Sequence, residues 1–372
     1  MIAGPPLAAA EKFASLGRVA DIREYGSGNV NDTFLVTVDA PGEKRFILQR
    51  LNTRVFPRPQ LIMQNLRTLT AHIRVRLGRD SLPGGCSWEV PLVLCTREGR
   101  DHWLDNMGSF WRALSFIEDA QSFDTLQNPE QAREVGYALG MFHHLLSDLP
   151  PGTLADTLPE FHHTPVYLEN YDRWLREAAS SSKAIDSPEV DYCLRFIKER
   201  RAWAGVLEEA KARGRLAIRP MHGDPKVNNV LMDRDSCRAV SLVDLDTVKP
   251  GLVHYDLGDL LRSGCNPLGE EWERWEEVRF DPELCRAILK GYLSLARSFL
   301  TDHDYAYFYD AIRLLPFELG LRFFTDFLAG NVYFKARRRE HNLVRALVQF
   351  KLTESIEAQE TGVRAIIREL GR

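Results

Sequence analysis

The segment His222-Gly223-Asp224-Pro225-Lys226-Val227-Asn228-Asn229 sets a histidine, a carboxylate and an amide at the spacing His-x-Asp-x-x-x-x-Asn, the spacing of a catalytic loop for phosphoryl transfer. That chemistry needs a carboxylate to receive or orient the proton of the attacking hydroxyl. It also needs an oxygen ligand for the metal that bridges the phosphates. Asp224 suits the first role and Asn229 the second. Lys226, two residues after Asp224, is spaced to approach the transferring phosphate and neutralise developing charge. Asp and Asn also make backbone hydrogen bonds in ordinary turns, so the spacing alone leaves a plain loop open.

The residues just beyond Asn229 favour chemistry. Val230-Leu231-Met232 and Ala239 to Val243 are apolar runs joined by the polar stretch Asp233 to Arg238. A hairpin there returns the chain to Asp244 beside Asn229, and Mg2+ takes one or two carboxylates plus phosphate oxygens. Asp246 has the same strand parity as Asp244 and reads equally well as a further ligand or a strand-end turn residue.

The elements that must carry these groups begin with a glycine turn. Gly26-Ser27-Gly28-Asn29-Val30-Asn31 separates DIREY from DTFLVTV, which is rich in β-branched and aromatic residues, and RFILQRL follows the Pro41-Gly42 turn signal. A glycine loop between two strands suits a lid over phosphates better than a dinucleotide turn, although a Gly-x-Gly in isolation is more often a plain hairpin turn. Arg50, at the end of the third strand, is either a cation for nucleotide phosphates or a solvated strand end. Gln64 and Asn65 stand on the next helix where a kinase usually supplies a glutamate, which leaves that cation's partner unidentified.

After Pro59 the apolar residues fall at helical spacing, and EVPLVLC and FWRALSFI read as further strands. Beyond Glu118 helical patterns dominate: Arg133 to Leu149, Asn170 to Ala179, Pro188 to Arg213, Pro282 to Thr301 and most of the chain from Tyr305. The expected architecture is α+β and two-lobed, like a protein kinase. It has a small β-rich N-terminal lobe over residues 1–118 and a larger, mainly helical C-terminal lobe over residues 119–372.

A chain of 372 residues is too long for one simple core. Its composition, 44% hydrophobic and 27% charged with a net charge of -4, gives no general reason to expect nucleic-acid or membrane partners. Six scattered cysteines without a Cys-x-x-Cys pair suit neither zinc nor a disulfide framework. With no leader-like start and no apolar run of membrane length, a cytoplasmic location is expected.

With these blocks in view, the sequence resembles the aminoglycoside phosphotransferase and choline kinase superfamily. HGDPKVNNVLMD and LVDLDTVKPGLVHYDLGDLLR correspond to its catalytic and metal-binding blocks, and LGMFHHLL to its mid-chain helix. GSGNVNDTFLV, FILQRLNTRVF and the block from ELGLRFFTDFLAG to LTESIE resemble, within it, the N-acetylhexosamine 1-kinases. The resemblance implies ATP and Mg2+, with Asp224 as base and Asn229 and Asp244 as metal ligands. It implies an adenine hinge at Phe116, Ile117 and Glu118, nucleotide contacts from Gly26, Ser27, Gly28, Asn29 and Arg50, and sugar contacts from Asp32, Arg322 and Tyr333. Arg322 could otherwise be a helical ion-pair residue, and Tyr333 a core aromatic. The acceptor alternatives are choline, an amino alcohol, another sugar or an aminoglycoside; a nucleotide-binding pseudokinase is a third possibility. His143-His144 and His162-His163 lack a third ligand at metal spacing and read as packing or surface residues. Lys335 to Arg339 reads as a solvated helical face.

Overall fold

A computed structural model describes residues 4–14, 17–26, 30–40, 44–79, 87–180 and 187–371. They form two compact units. The first runs to Ala120 and adds Gly152–Pro159 and Leu245–Lys249; the second comprises Gln121–Pro151, Glu160–Asp244 and the chain from Pro250. Among the described residues no helix is long and apolar enough to cross a membrane.

The first unit opens with helix α1 (Pro5–Phe13), then strands β1 (Arg18–Glu24), β2 (Asp32–Asp39) and β3 (Lys44–Leu51), helix α2 (Pro59–Arg79), and strands β4 (Val93–Leu94), β5 (Trp103–Leu104) and β6 (Phe110–Ser115). The antiparallel sheet has the order β1-β2-β3-β6-β4, with β5 also on β6. Alternation along β2 and β3 turns Val36, Val38, Phe46 and Leu48 inward, where α1 covers them with Ala9, Ala10 and Phe13. Helix α1 has no counterpart in the sequence reading, which finds only that this stretch is not leader-like. EVPLVLC yields just the two residues of β4; Pro91 within it cannot donate to a ladder.

The distant segments 152–159 and 245–249 are held in this unit by Asn65. Its side-chain amide donates to the carbonyls of Ala155 and Val248 at 2.8 and 2.9 Å, and its oxygen accepts from the Ala155 amide at 2.8 Å. The residue that breaks the expected glutamate pattern is thus a buried backbone clasp.

The second unit contains α3 (Pro129–Leu146), α4 (Thr164–Ser180), α5 (Pro188–Arg200), α6 (Val206–Ala212), α7 (Val253–Gly264), α8 (Pro282–Ala296), α9 (Asp302–Ala306), α10 (Phe308–Ala329), α11 (His341–Ala358) and α12 (Glu360–Leu370). Side-chain caps start several of them: Asn128 accepts from the Gln131 amide before α3, Ser187 from Val190 before α5, and Asp281 from Glu283 and Leu284 before α8. Helices α3 and α8 cross at glycines; a Cβ on Gly136 or Gly291 would run into the carbonyl oxygen of Ile288 or Arg133. The core gathers Phe196, Phe317, Phe324, Leu347 and Phe350 from α5, α10 and α11.

Two helical expectations change. Pro188 to Arg213 is two helices separated by a 3-10 turn at Arg201–Trp203. Lys335 to Arg339 is not helical: α10 ends at Gly330, whose φ of 92° is left-handed, and α11 begins only at His341.

Candidate active site

The expected hairpin is present. Strands Val230–Asp233 and Ala239–Leu242 pair antiparallel, with Val230 opposite Leu242, and Asp233 closes the turn by accepting from the Ser236 amide at 2.7 Å. Beyond the last pair, the Val243 amide donates to the Asn229 carbonyl at 2.9 Å. That bond brings Asp244 to the end of the His222–Asn229 loop. Asp244 is exposed and its φ is 64°, a left-handed conformation that side-chain-bearing residues adopt at a cost and that concentrates at functional sites.

Within the loop the Asn229 side-chain NH2 donates to the Asp224 carbonyl at 2.7 Å, leaving its amide oxygen as the outward donor atom. Lys226 Nζ lies 2.9 Å from the Asp224 carboxylate, with 37% and 28% of the two side chains exposed. Burial pushes the Asp224 carboxyl upward, but the Lys226 ammonium beside it, helped by Arg262, holds it below the ordinary carboxylate range. Asp224 carries the larger effect on Lys226, whose pKa is raised. The Asp224 carboxylate thus stays ionised and the lysine charged.

The loop is anchored from beneath. His222 is fully buried, and burial lowers its pKa. Its Nε2–H donates to the Val243 carbonyl at 3.0 Å and its Nδ1 accepts from the Asp224 amide at 3.2 Å, as a neutral ring does. Asp256, on the first turn of α7, accepts from the His222 and Gly223 amides at 2.6 and 2.7 Å and from His143 Nε2 at 2.8 Å. Gly223 between them has a φ of 89°, open to glycine at no steric cost. Sequence reasoning assigned neither Asp256 nor His143 a role. The available signal was a carboxylate one turn into a helix otherwise buried along most of its length.

Arg322 and Tyr333 come together. On α10 the Arg322 guanidinium lies over four aromatic rings, with centroids at 5.3 Å for Phe161, 5.1 Å for Tyr167, 5.8 Å for Tyr333 and 5.4 Å for Phe334. No carboxylate pairs with it among the described residues, and the charge of Asp224 reaches it. Tyr333 is 54% exposed, so it is not a core aromatic. Asp326 holds its loop by accepting from the amides of Val332, Tyr333 and Phe334 at 2.9, 2.8 and 3.0 Å.

The remaining candidates belong to the first unit. Asp32 and Arg50, expected to face different ligands, pair with each other across β2 and β3. Both are near half exposed, and Arg50 also lies 5.8 Å from the Trp111 ring centroid. Gly26 has a φ of 75°; Ser27, Gly28 and Asn29 lie outside the described residues. Phe116 packs edge-on to Tyr25 at 5.9 Å, Ile117 is buried, and Glu118 pairs with Arg45. The buried cation of this sheet is Arg112, which sequence reasoning passed over inside FWRALSFI. It is 1% exposed, donates to Gln49 Oε1 at 2.7 Å and pairs with Asp246 at 2.5 Å. Asp246 also accepts from Asn31 Nδ2 at 2.8 Å. Its Oδ2 is thus hydrogen-bonded inside the protein, while Oδ1 faces Arg112 as an ion pair only.

Comparison with known proteins agrees with this geometry. The model of the phosphotransferase enzyme family matches residues 21–295, most of the chain. The chain belongs to this family. Solved structures of its kind include an aminoglycoside phosphotransferase from Alicyclobacillus acidocaldarius, 14% identical, with a TM-score of 0.59 over 99% of this chain and 98% of that one. A microcompartment-associated aminopropanol kinase is 16% identical, with a TM-score of 0.57 over 95% and 98%. Choline kinase from Cryptosporidium parvum is 14% identical, with a TM-score of 0.56 over 95% and 93%. At such identities the likeness is one of fold, and the fold is kinase-like: an antiparallel N-terminal sheet and a helical C-terminal part.

Proposed function

We propose that this family member is an ATP-dependent kinase that phosphorylates the anomeric hydroxyl of an N-acetylhexosamine. The observation that carries the reading is the juxtaposition, in one unit, of an ionised Asp224–Lys226 pair with Arg322 in an aromatic cage. Asp224 accepts the proton of the attacking hydroxyl, while Lys226 supplies positive charge beside the transferring group. Arg322 donates to the acceptor's acetamido or hydroxyl oxygens and Tyr333 offers a phenol, the partners an uncharged polyol calls for. Asp32 is a further candidate for the sugar. Arg50, the turn at Gly26 to Asn29 and residues Phe116 to Glu118 are the candidates for the nucleotide.

The donor set fits Mg2+: a carboxylate at Asp244 and an amide oxygen at Asn229, both hard oxygens, presented from the two ends of one hairpin. Bound there, the ion would neutralise charge on the phosphates.

A cationic acceptor such as choline or an amino alcohol would meet the Arg322 guanidinium rather than an acidic wall, which favours the sugar. ATP consumption measured against N-acetylhexosamines, other sugars, amino alcohols, choline and an aminoglycoside tests this. Turnover should depend on the N-acetylhexosamine and yield a phosphate ester on the anomeric carbon. Asp224→Asn should lower kcat by about 10²- to 10⁴-fold while leaving nucleotide binding intact. Turnover dependent on a cationic acceptor would overturn the sugar assignment, and wild-type-like turnover in the variant would remove Asp224 from the mechanism.

A further inference from the structure

His162 is 4% exposed, and the proposed catalytic scheme leaves it without a task. Its two ring nitrogens reach opposite ways. Nε2 lies 2.7 Å from the Gly223 carbonyl, one residue before Asp224. Nδ1 lies 2.7 Å from Glu318 Oε1, on α10 one turn before Arg322. A carbonyl can only accept, so Nε2 carries a hydrogen. The other Glu318 oxygen accepts from the Thr164 hydroxyl at 2.6 Å. A carboxylate so engaged takes a hydrogen from Nδ1 as well, so the ring is an imidazolium donating from both nitrogens. Burial alone would push the His162 pKa down; the Glu318 carboxylate more than compensates and raises it. Asp259 and Tyr255 from α7 also act on the ring, the latter stacked at 5.2 Å and 12°, and the Phe161 ring lies 4.1 Å from it.

The surrounding backbone is strained toward this placement. Glu160 and His162 have φ of 63° and 64°, values that cost side-chain-bearing residues free energy and persist where the surroundings impose them. The His162 amide donates to the Tyr167 hydroxyl at 3.3 Å. Its neighbour Phe161 and Tyr167 itself are two of the four rings around Arg322. One residue therefore touches the loop that carries the base and both the helix and the rings that hold the acceptor-side cation.

We infer that His162 is a positioning residue, a doubly donating imidazolium that fixes the distance between Asp224 and the Arg322 acceptor wall. The kinetic part of this inference rests on the proposed kinase function; the structural part does not. Misplacement of reacting groups by about 1 Å costs roughly 10²-fold in rate. In His162→Phe, which keeps a ring against Tyr255 but donates nothing, kcat for the acceptor should fall about 10- to 100-fold with the KM for ATP within about twofold. Amide hydrogen exchange across Gly223–Asn229 should accelerate by about tenfold or more while α8 is unchanged. His162→Gln, with one N–H donor, should recover part of both losses. A folded His162→Phe with kcat within about twofold of wild type and unchanged exchange in the loop overturns the inference, as does an equal rise in the KM for ATP. If His162→Phe does not fold, His162→Gln and Glu318→Gln should show the same split at smaller amplitude, and unchanged kcat and exchange in both overturns it. A wild-type protein that turns over no acceptor refutes the kinase reading, and the exchange comparison then decides the role of His162 by itself.

Discussion

Replacing Asp256 with asparagine exchanges one carboxylate oxygen for an NH2 and should cost as much stability as a large core truncation. The carboxylate accepts three hydrogen bonds, at 2.6 Å from the His222 amide, 2.7 Å from the Gly223 amide and 2.8 Å from His143. An asparagine oxygen in the Oδ2 position keeps the His222 and His143 bonds but turns them from charge-assisted to neutral, a loss of about 1 kcal/mol each. Its NH2 then faces the Gly223 N–H, donor against donor, and that buried amide goes unsatisfied at a cost of about 1–3 kcal/mol. The sum is about 3–5 kcal/mol, a large part of the 5–15 kcal/mol typical of a domain. Urea denaturation followed by fluorescence should show it as a lowered midpoint, and kcat should fall because the backbone beside Asp224 loses its anchor.

The pH dependence supplies a second reading of the same bond. Burial pushes the Asp256 carboxyl up, but the hydrogen bond and charge of His143 outweigh it and its pKa is lowered. A depressed folded pKa contributes stability above the unfolded value of about 4, and the contribution is lost as pH falls through the folded value. The gap between wild type and Asp256→Asn should therefore be full at pH 7 and close as pH drops below about 4. A loss under about 1 kcal/mol at pH 7, or a gap that does not narrow in acid, would refute this account of the anchor.

Other consequences are as direct. Arg112→Met leaves the Asp246 carboxylate, 2% exposed, without its ion-pair partner; the loss should be about 3–5 kcal/mol, and Asp246→Leu in the same chain should restore much of it. A double variant as unstable as the single would show that the pair is not the source. Arg322→Met keeps a long apolar stem among the four rings and removes the guanidinium; the KM for the acceptor should rise about 10- to 100-fold with that for ATP unchanged. An equal change in both constants would take Arg322 out of the acceptor site.

Local sequence determined the parts of this protein that are contiguous. The loop from His222 to Asn229, the two apolar runs of its hairpin and the first three strands were legible because their information lies within a few residues of itself. Alternation sets which face of β2 and β3 is buried, and a polar turn between apolar runs makes a hairpin whose end must carry Asp244. Tertiary structure alone decided which polar residues hold those parts in place. Asp256 reaches His222 across 34 positions and His143 across 113, and His162 reaches Glu318 across 156. At such separations no periodicity links the partners. Each looks in sequence like an ordinary polar residue of a helix or loop, and two adjacent histidine pairs read as packing or surface. Burial changes their meaning, because a polar group removed from water must find a partner wherever the fold brings one. The same physics shows in the sheet, where Arg50 lies near half exposed against Asp32 while Arg112, to which the sequence drew no attention, is buried against Asp246.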